Sequence, residues 1–314
     1  MDTLLDIVDL AKDFGPVRAV DGISFSVDRG EVLGFLGPNG AGKSTTMKMV
    51  TGFIAPSGGT ASVCGFDVVT QTIEAKRRVG YLPEGAPAYG DMTPAALLDF
   101  VAAVRGLSGT DRRVRIDDVV ERLQLGSVLQ RPIETLSKGF KRRVGLAQAV
   151  LHDPPVLILD EPTDGLDPNQ KHEVRGLLKE IAGEKAIVIS THILEEVEAV
   201  CSRAIIIAHG RIVADAKPEV LHAQSAYHNA VGLRIPVKRA PSLVSALERV
   251  SEIRRVEFLG DTEGTAEIRA FPADGDEILG KVREVVRLRG FPVDEIFLER
   301  GRLDDVFRQL TTTQ

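Results

Sequence analysis

Apolar runs and helical periods alternate along the first two-thirds of the chain. Runs at 32–36, 156–159, 186–190 and 204–208 are rich in Val, Ile and Leu and are bounded by turn residues. Each is too short for a helix, so each is predicted as a buried strand. Helical stretches lie between them. "GAGKSTTMKMVTG" starts and ends on glycine, and "MTPAALLDFVAAVRGL" offers Thr93 as N-cap, Pro94 at the first helical position and a stop near Gly106. Residues 111–125 continue with Val114, Val119, Val120 and Leu123 on one face and charges on the other. The block from about 90 to 150 therefore reads as a helical subdomain inserted into an α/β core that spans residues 1–216.

Beyond it the order of elements changes. Residues 217–230 read as a linker, followed by strand 231–237, helix 242–250, strand 254–260, strand 265–271, helix 275–289, strand 292–298 and helix 302–311. In the second of these helices Ile278, Leu279, Val282, Val285, Val286 and Leu288 gather on one side. The order βαββαβ predicts a small ferredoxin-like α+β domain over 231–314. It carries no catalytic motif.

Composition narrows the class. At 314 residues the chain can form one large domain or two modest ones. Apolar content of 43% and charged content of 27% are those of an ordinary globular protein. A net charge of −6 argues against nucleic acid as a partner. The two cysteines, Cys64 and Cys201, are far apart and suggest neither a disulfide framework nor a zinc site, which fits a reducing compartment. The start "MDTLLDIVDLAKDFG" lacks the pattern of a signal peptide, and no apolar run is long enough to cross a bilayer. A cytoplasmic location is expected.

Candidate chemistry is concentrated in three places. Residues 37–45, "GPNGAGKST", fit G-x-x-x-x-G-K-[ST] with Gly37, Gly42, Lys43 and Ser44 at the defining positions. The stretch follows a predicted strand and opens a predicted helix. Glycines there let backbone N–H groups converge on a phosphate, and the helix N-terminus adds open donors. The loop as a whole, Gly37, Pro38, Asn39, Gly40, Ala41, Gly42, Lys43, Ser44 and Thr45, is a candidate triphosphate cradle, with Ser44 offering oxygen to Mg²⁺. Next, "PPVLILDEPTDGLDP" runs four apolar residues straight into Asp160 and Glu161. Ionised groups are costly to bury without partners. Beside a phosphate loop, Asp160 can hold Mg²⁺ through water and Glu161 can polarise an attacking water.

The third stretch is "TLSKGFKRRVGLAQAVLHDPPVLILDEP". A phosphate loop, an "LSxG" turn and an apolar strand ending in "DE", in that order, resemble the ATP-binding subunit of ABC transporters. The likeness covers roughly residues 1–215 and implies a P-loop NTPase core. It implies that Ser137 and the Gly139 N–H reach ATP held by a second copy of the chain, and that Phe14 stacks on adenine. It also implies that His192 senses the γ-phosphate as a catalytic partner of Glu161, and that Asp167 communicates between the two sites. Where the family carries Gln in the loop joining core and helical subdomain, this chain has Glu84, which can still ligate Mg²⁺; Lys138 and Phe140 likewise replace the usual Gly and Gln. "YLPE", "LSKGF" and the ending "GRLDDVFRQLT" look like the ABC-2-type exporter subgroup, including members associated with gliding motility.

The resemblance implies an ATPase that drives an exporter from the cytoplasmic face of the membrane. It would act as a nucleotide-sandwich dimer bound to integral membrane permease subunits of ABC-2 type, with ATP and Mg²⁺ as ligands. A nucleotide-gated regulator or scaffold of a membrane complex would carry the same motifs. DNA-acting ATPases of this family would need a long heptad insertion between Lys43 and Ser137, which is missing. The "KRR" at 141–143 reads as the solvated face of the signature helix, with contact to anionic lipid or a membrane partner as the alternative.

Overall fold

The computed structural model describes residues 2–262 and 264–312. The chain separates into two compact units, one running to Pro218 and the other spanning Glu219–Gln309, with the stretch from Leu310 counted with the first.

The first unit holds two sheets. One is antiparallel, with order β2-β1-β4-β5, from β1 (Thr3–Phe14), β2 (Val17–Asp28), β4 (Gly58–Val63) and β5 (Phe66–Asp67). The other has order β10-β9-β3-β8-β7-β6, from β3 (Val32–Leu36), β6 (Val79–Leu82), β7 (Val156–Asp160), β8 (Ala186–Thr191), β9 (Arg203–Ala208) and β10 (Arg211–Ala216). It is parallel except for β10. β3, β7 and β8 are buried along their whole length, which is why they read as unbroken apolar runs. Helix α1 (Lys43–Val50) follows β3, and α2 (Thr72–Arg77) precedes β6. Between β6 and β7 come α3 (Pro94–Val104), α4 (Gly109–Arg122) and α5 (Lys138–Val150). α6 (Pro168–Ala182) and α7 (Leu194–Val200) follow β7 and β8. The strand side of the core packs Phe25, Phe35, Met47 and Ile158, while a second cluster of Leu98, Leu146, Leu157 and Leu178 lies on the helical side.

Thr93 caps α3 as its pattern predicts, its hydroxyl accepting from the Ala96 N–H, with Pro94 first in the helix. In α4, however, Val114 is 58% exposed, while Val119 and, just past the helix end, Leu123 are buried and Val120 packs half-buried against the same core. β1 and β2 do not stand out in the sequence pattern. Their apolar residues do not alternate cleanly, since the β1–β2 register shifts four times and each bulge resets which side faces the core.

The second unit has β11 (His228–Pro236), α9 (Ala240–Leu247), β12 (Ile253–Thr262), β13 (Thr265–Pro272), α10 (Leu279–Leu288) and β14 (Glu295–Arg300). The strands form an antiparallel sheet of order β12-β13-β11-β14. Val231, Leu233, Ile268, Leu243 and Val282 make its core. Leu288, expected on the apolar side of α10, is 71% exposed in the last turn. The stretch predicted as a linker, 217–230, is also more ordered than expected. It holds α8 (Pro218–Ala223) and the first residues of β11. A last helix, α11, covers Leu303–Thr312. Among the described residues no helix is long and apolar enough to cross a membrane.

Candidate active site

Two glycines of the phosphate loop are fixed by packing. A Cβ on Gly37 would sit 2.4 Å from the Ile207 carbonyl oxygen of β9. One on Gly42 would sit 2.6 Å from the Ala19 carbonyl oxygen of β2, and Gly42 has φ +109°, where L side chains are strained. The loop is thereby pressed between two strands, and α1 starts at Lys43 with no side chain capping its N-terminus. Uncapped N–H groups at a helix start favour an anion. Lys43 is 8% exposed, and its ammonium donates to the carbonyls of Gly37 at 2.7 Å and Pro38 at 3.1 Å. Burial lowers its pKa from the ordinary value, with Glu161, Asp160 and Glu84 pulling the other way.

Across the cavity β7 delivers the two carboxylates. Successive side chains of a regular strand point to opposite faces, so Asp160 and Glu161 would diverge if the strand ran on. It stops at Asp160, and Glu161 takes φ +51°, a left-handed conformation uncommon outside glycine. That turn lets both acids line one cavity, and strain of this kind, of order 1–3 kcal/mol, tends to collect at working sites. The cavity, about 270 Å³, is lined by Ala19, Asn39, Gly40, Gly42, Lys43, Ser44, Thr45, Glu84, Asp160 and Glu161.

Asp160 is 1% exposed, and among the described residues neither of its carboxylate oxygens has a hydrogen-bond partner. A buried acid left in this way needs an explanation, and an ion or water held there is one. The Ser44 hydroxyl and the Glu84 carboxylate share its cavity, so the donors are all oxygen, which suits a hard divalent cation. Among the described residues no cluster of three or more His, Cys, Asp or Glu forms a metal cage of its own. Mg²⁺ needs none, because it usually retains waters and phosphate oxygens.

Glu161 is held by its neighbours. His192 Nδ1 lies 2.8 Å from Glu161 Oε1, and the imidazole is 58% exposed while the carboxylate is 13% exposed. The remaining predicted site residues stand apart from the cavity lining. Ser137 caps α5 by accepting from the Phe140 N–H at 3.3 Å. Gly139 packs under Gln170, whose Oε1 would lie 2.6 Å from an added Cβ. Asp167 caps α6, accepting from the Gln170 N–H at 2.9 Å. Phe14 is 50% exposed with the Lys12 ammonium 5.3 Å from its ring centre, so it is not a core residue. Pro38 and Ala41 shape the loop without lining the cavity, the Ala41 N–H donating to the Pro38 carbonyl.

The reading of 141–143 as a solvated face is overturned. Arg142 and Arg143 are 4% and 6% exposed. Arg142 lies 3.4 Å from the Asp160 carbonyl and from the Asp164 carboxylate, and 3.5 Å from the Pro83 carbonyl, next to Glu84. Arg143 pairs with Glu173 at 3.2 Å. A short charge run can be buried when acids and carbonyls meet it. A signal for this exists in the sequence: Arg142 shares its helix face with Leu146 and Ala149, both buried.

A larger cavity of about 560 Å³ elsewhere in this unit is lined by Arg115, Arg122, Asp153 and Lys185. Their charges already pair with one another or with Asp118 and Glu180. The phosphate-loop cavity, with its open helix N-terminus, buried lysine and unsatisfied aspartate, is the site with unmet needs. Fold and site together define a P-loop NTPase.

Comparison with known proteins agrees. The family model for "ABC transporter" matches residues 20–164. The Nod factor export ATP-binding protein I of Ralstonia nicotianae is 33% identical over 98% of this chain and 94% of its own length. The probable multidrug ABC transporter ATP-binding protein YbhF of Escherichia coli is 37% identical over 72% of this chain, which spans 39% of that longer protein. A solved ATP-binding subunit of an ABC transporter superposes with a TM-score of 0.66 at 32% identity, covering 70% of this chain and 92% of that one. The chain belongs to the ABC transporter family, among its ATP-binding subunits, and is an ABC-type ATPase.

Proposed function

We propose that this chain is the ATP-hydrolysing subunit of a membrane exporter of the ABC-2 type, working as a dimer that sandwiches two ATP molecules with Mg²⁺. One observation carries the reading. Lys43, Ser44, Glu84, Asp160 and Glu161 line one cavity, while Ser137 and Gly139 of the same chain do not. At about 270 Å³ the cavity is below the usual size for a small-molecule ligand, so a second copy would complete it.

The residues have separable roles. The uncapped start of α1 and Lys43 bind the phosphates. Ser44, Glu84 and, through water, Asp160 hold Mg²⁺, which when bound offsets phosphate charge. Glu161 orients the attacking water and accepts its proton, while His192 fixes that carboxylate through Nδ1. Phe14 stacks on adenine. Ser137 and Gly139 of the partner copy reach the γ-phosphate, and Asp167 links the two sites.

Export as the direction is supported by the names of the relatives, which concern Nod factor and drugs in those proteins. With no spanning helix among the described residues, solute passage needs separate permease subunits, at the cytoplasmic membrane face. Their docking groove lies near Glu84 and residues 85–105, where exposed Tyr89 and Phe100 stack edge to face and exposed Phe53, Ile73 and Val104 flank a second cavity. Residues 1–216 form the ATPase and 231–314 an accessory domain, a division near the unit boundary at Pro218. We take the accessory domain as ferredoxin-like, on the antiparallel order β12-β13-β11-β14.

Glu161→Gln tests the reading. It should bind ATP and Mg²⁺, become dimeric by light scattering, and lose turnover by at least about 100-fold, the usual worth of a general base. A variant that stays monomeric with ATP, or hydrolyses it at the parent rate, contradicts the reading.

A further inference from the structure

A second buried acid lies behind Glu161. Glu196, on α7, is 3% exposed, and its Oε1 has no hydrogen-bond partner. Its Oε2 is 3.0 Å from Thr191 Oγ1, and that same Oγ1 is 3.5 Å from Glu161 Oε2. Thr191 is fully buried, and its oxygen also accepts the Ile193 N–H at 3.0 Å. One hydroxyl therefore stands between two carboxyl groups.

A hydroxyl carries a single proton and can donate to one carboxylate at a time. The other carboxyl must then supply a proton of its own, or two oxygen lone pairs face each other. Glu161 already receives His192 at Oε1. Among the described residues no ion pair reaches Glu196. Burial raises its pKa and the charge of Glu161 adds to this, against the Thr191 hydrogen bond and the more distant Lys171 and Arg175. Glu196, the more deeply buried of the two carboxyls, is the one placed to supply that proton.

We propose that Glu196 is a positioning residue for hydrolysis: its carboxyl donates to Thr191 Oγ1, which turns the Thr191 hydroxyl onto Glu161 Oε2. Glu161 is then gripped at both oxygens, by His192 on the solvent side and by Thr191 on the buried side. The carboxylate plane is fixed without neutralising it. The inference rests on Glu161 being the water-orienting residue.

Steady-state kinetics with MgATP on the full chain test it, with thermal midpoints taken for each variant. Glu196→Leu and Thr191→Val each remove the chain. Each should lower kcat by about 10-fold, the equivalent of one hydrogen bond, with KM unchanged. Together they should lose no more than either alone. Glu196→Gln, whose amide still donates to Thr191, and Thr191→Ser should stay within about threefold of the parent. Parent-like kcat in both disruptive variants, a loss confined to KM, or Glu196→Gln as slow as Glu196→Leu overturns the proposal. If Glu196→Leu does not fold, the near-isosteric Thr191→Val, set against Thr191→Ser, decides alone. Glu161→Gln is measured alongside. Parent-like turnover there removes the role of Glu161 itself, whereas an inactive Glu161→Gln beside an unaffected Thr191→Val removes only the role of Glu196.

Discussion

Asp160 in the first unit and Arg269 in the second are buried to a similar degree, at 1% and 5% exposure, yet they are surrounded quite differently. Both oxygens of Asp160 lack a partner. Arg269 pairs with Glu299 at 2.8 Å and with Glu267 at 3.7 Å, and its guanidinium lies 5.1 Å from the Tyr227 ring centre. Arg302 and Arg255 lie over the rings of Tyr227 and Phe271 in the same cluster. Burial of a charge is tolerated in two ways: by saturating it inside the fold, or by leaving it for a ligand. Arg269 follows the first way for its charge, which Glu299 and Glu267 meet, although its Nε has no hydrogen-bond partner among the described residues. Asp160 has no partner of this kind among the described residues, and the difference separates a charge that the fold satisfies from one that it leaves unmet.

The largest effect is expected where the contrast is deepest. Asp160→Asn removes an unpaired buried charge with little change of shape. It should raise the thermal midpoint of the nucleotide-free protein while cutting MgATP turnover by at least about 100-fold, as a stabilising change in a working site does. Calorimetry and a phosphate-release assay measure the two. A lower midpoint with full turnover would erase the distinction.

Arg269→Met should do the reverse. It leaves Glu267 without its cation and Glu299 with only the more distant Arg302, at 3.6 Å, at a cost of about 3 kcal/mol to the second unit, and it leaves turnover in place. Urea unfolding followed beside the ATPase assay checks this; unchanged stability would show that the ion cluster contributes nothing.

The smallest effect concerns a buried group of intermediate kind. His152 has Nε2 3.2 Å from the Val79 carbonyl while Nδ1 is unpartnered. Burial, helped by Arg105, pushes its pKa down from the ordinary 6.5 to about 4. Between those values the unfolded chain binds the proton and the folded one does not. Stability is therefore full above pH 6.5 and falls as pH drops toward 4. At pH 5 the loss is at most about 2 kcal/mol. His152→Gln, which can still donate to Val79, should flatten that acid arm in melting curves taken between pH 7 and 5. Equal slopes in both proteins would show that His152 is not the cause.

Much of the site is legible in the order of residues. The phosphate loop, the acids after the buried strand and the histidine after β8 are local patterns, each readable because its neighbours in sequence are its neighbours in function. β3, β7 and β8 are legible because strands buried on both faces need unbroken apolar runs. β1 and β2 are not, since their bulges scramble the alternation. The partners of Arg142, Thr191 and Glu196 escape sequence reasoning for another reason, even where burial itself is legible, as on the helix face of Arg142. Those partners lie 18 to 59 residues away or on the far side of a strand end, as with Arg142 on the carbonyls of Asp160 and Pro83.

The chain's order of residues alone determined that a glycine-rich loop would open α1 after β3 and that one copy would carry each motif once, because glycines, a lysine and a strand-end acid act through local geometry. Only the tertiary structure decided which buried charges were satisfied. Partners for a charge come from wherever the fold brings them, and linear sequence does not record distance in space.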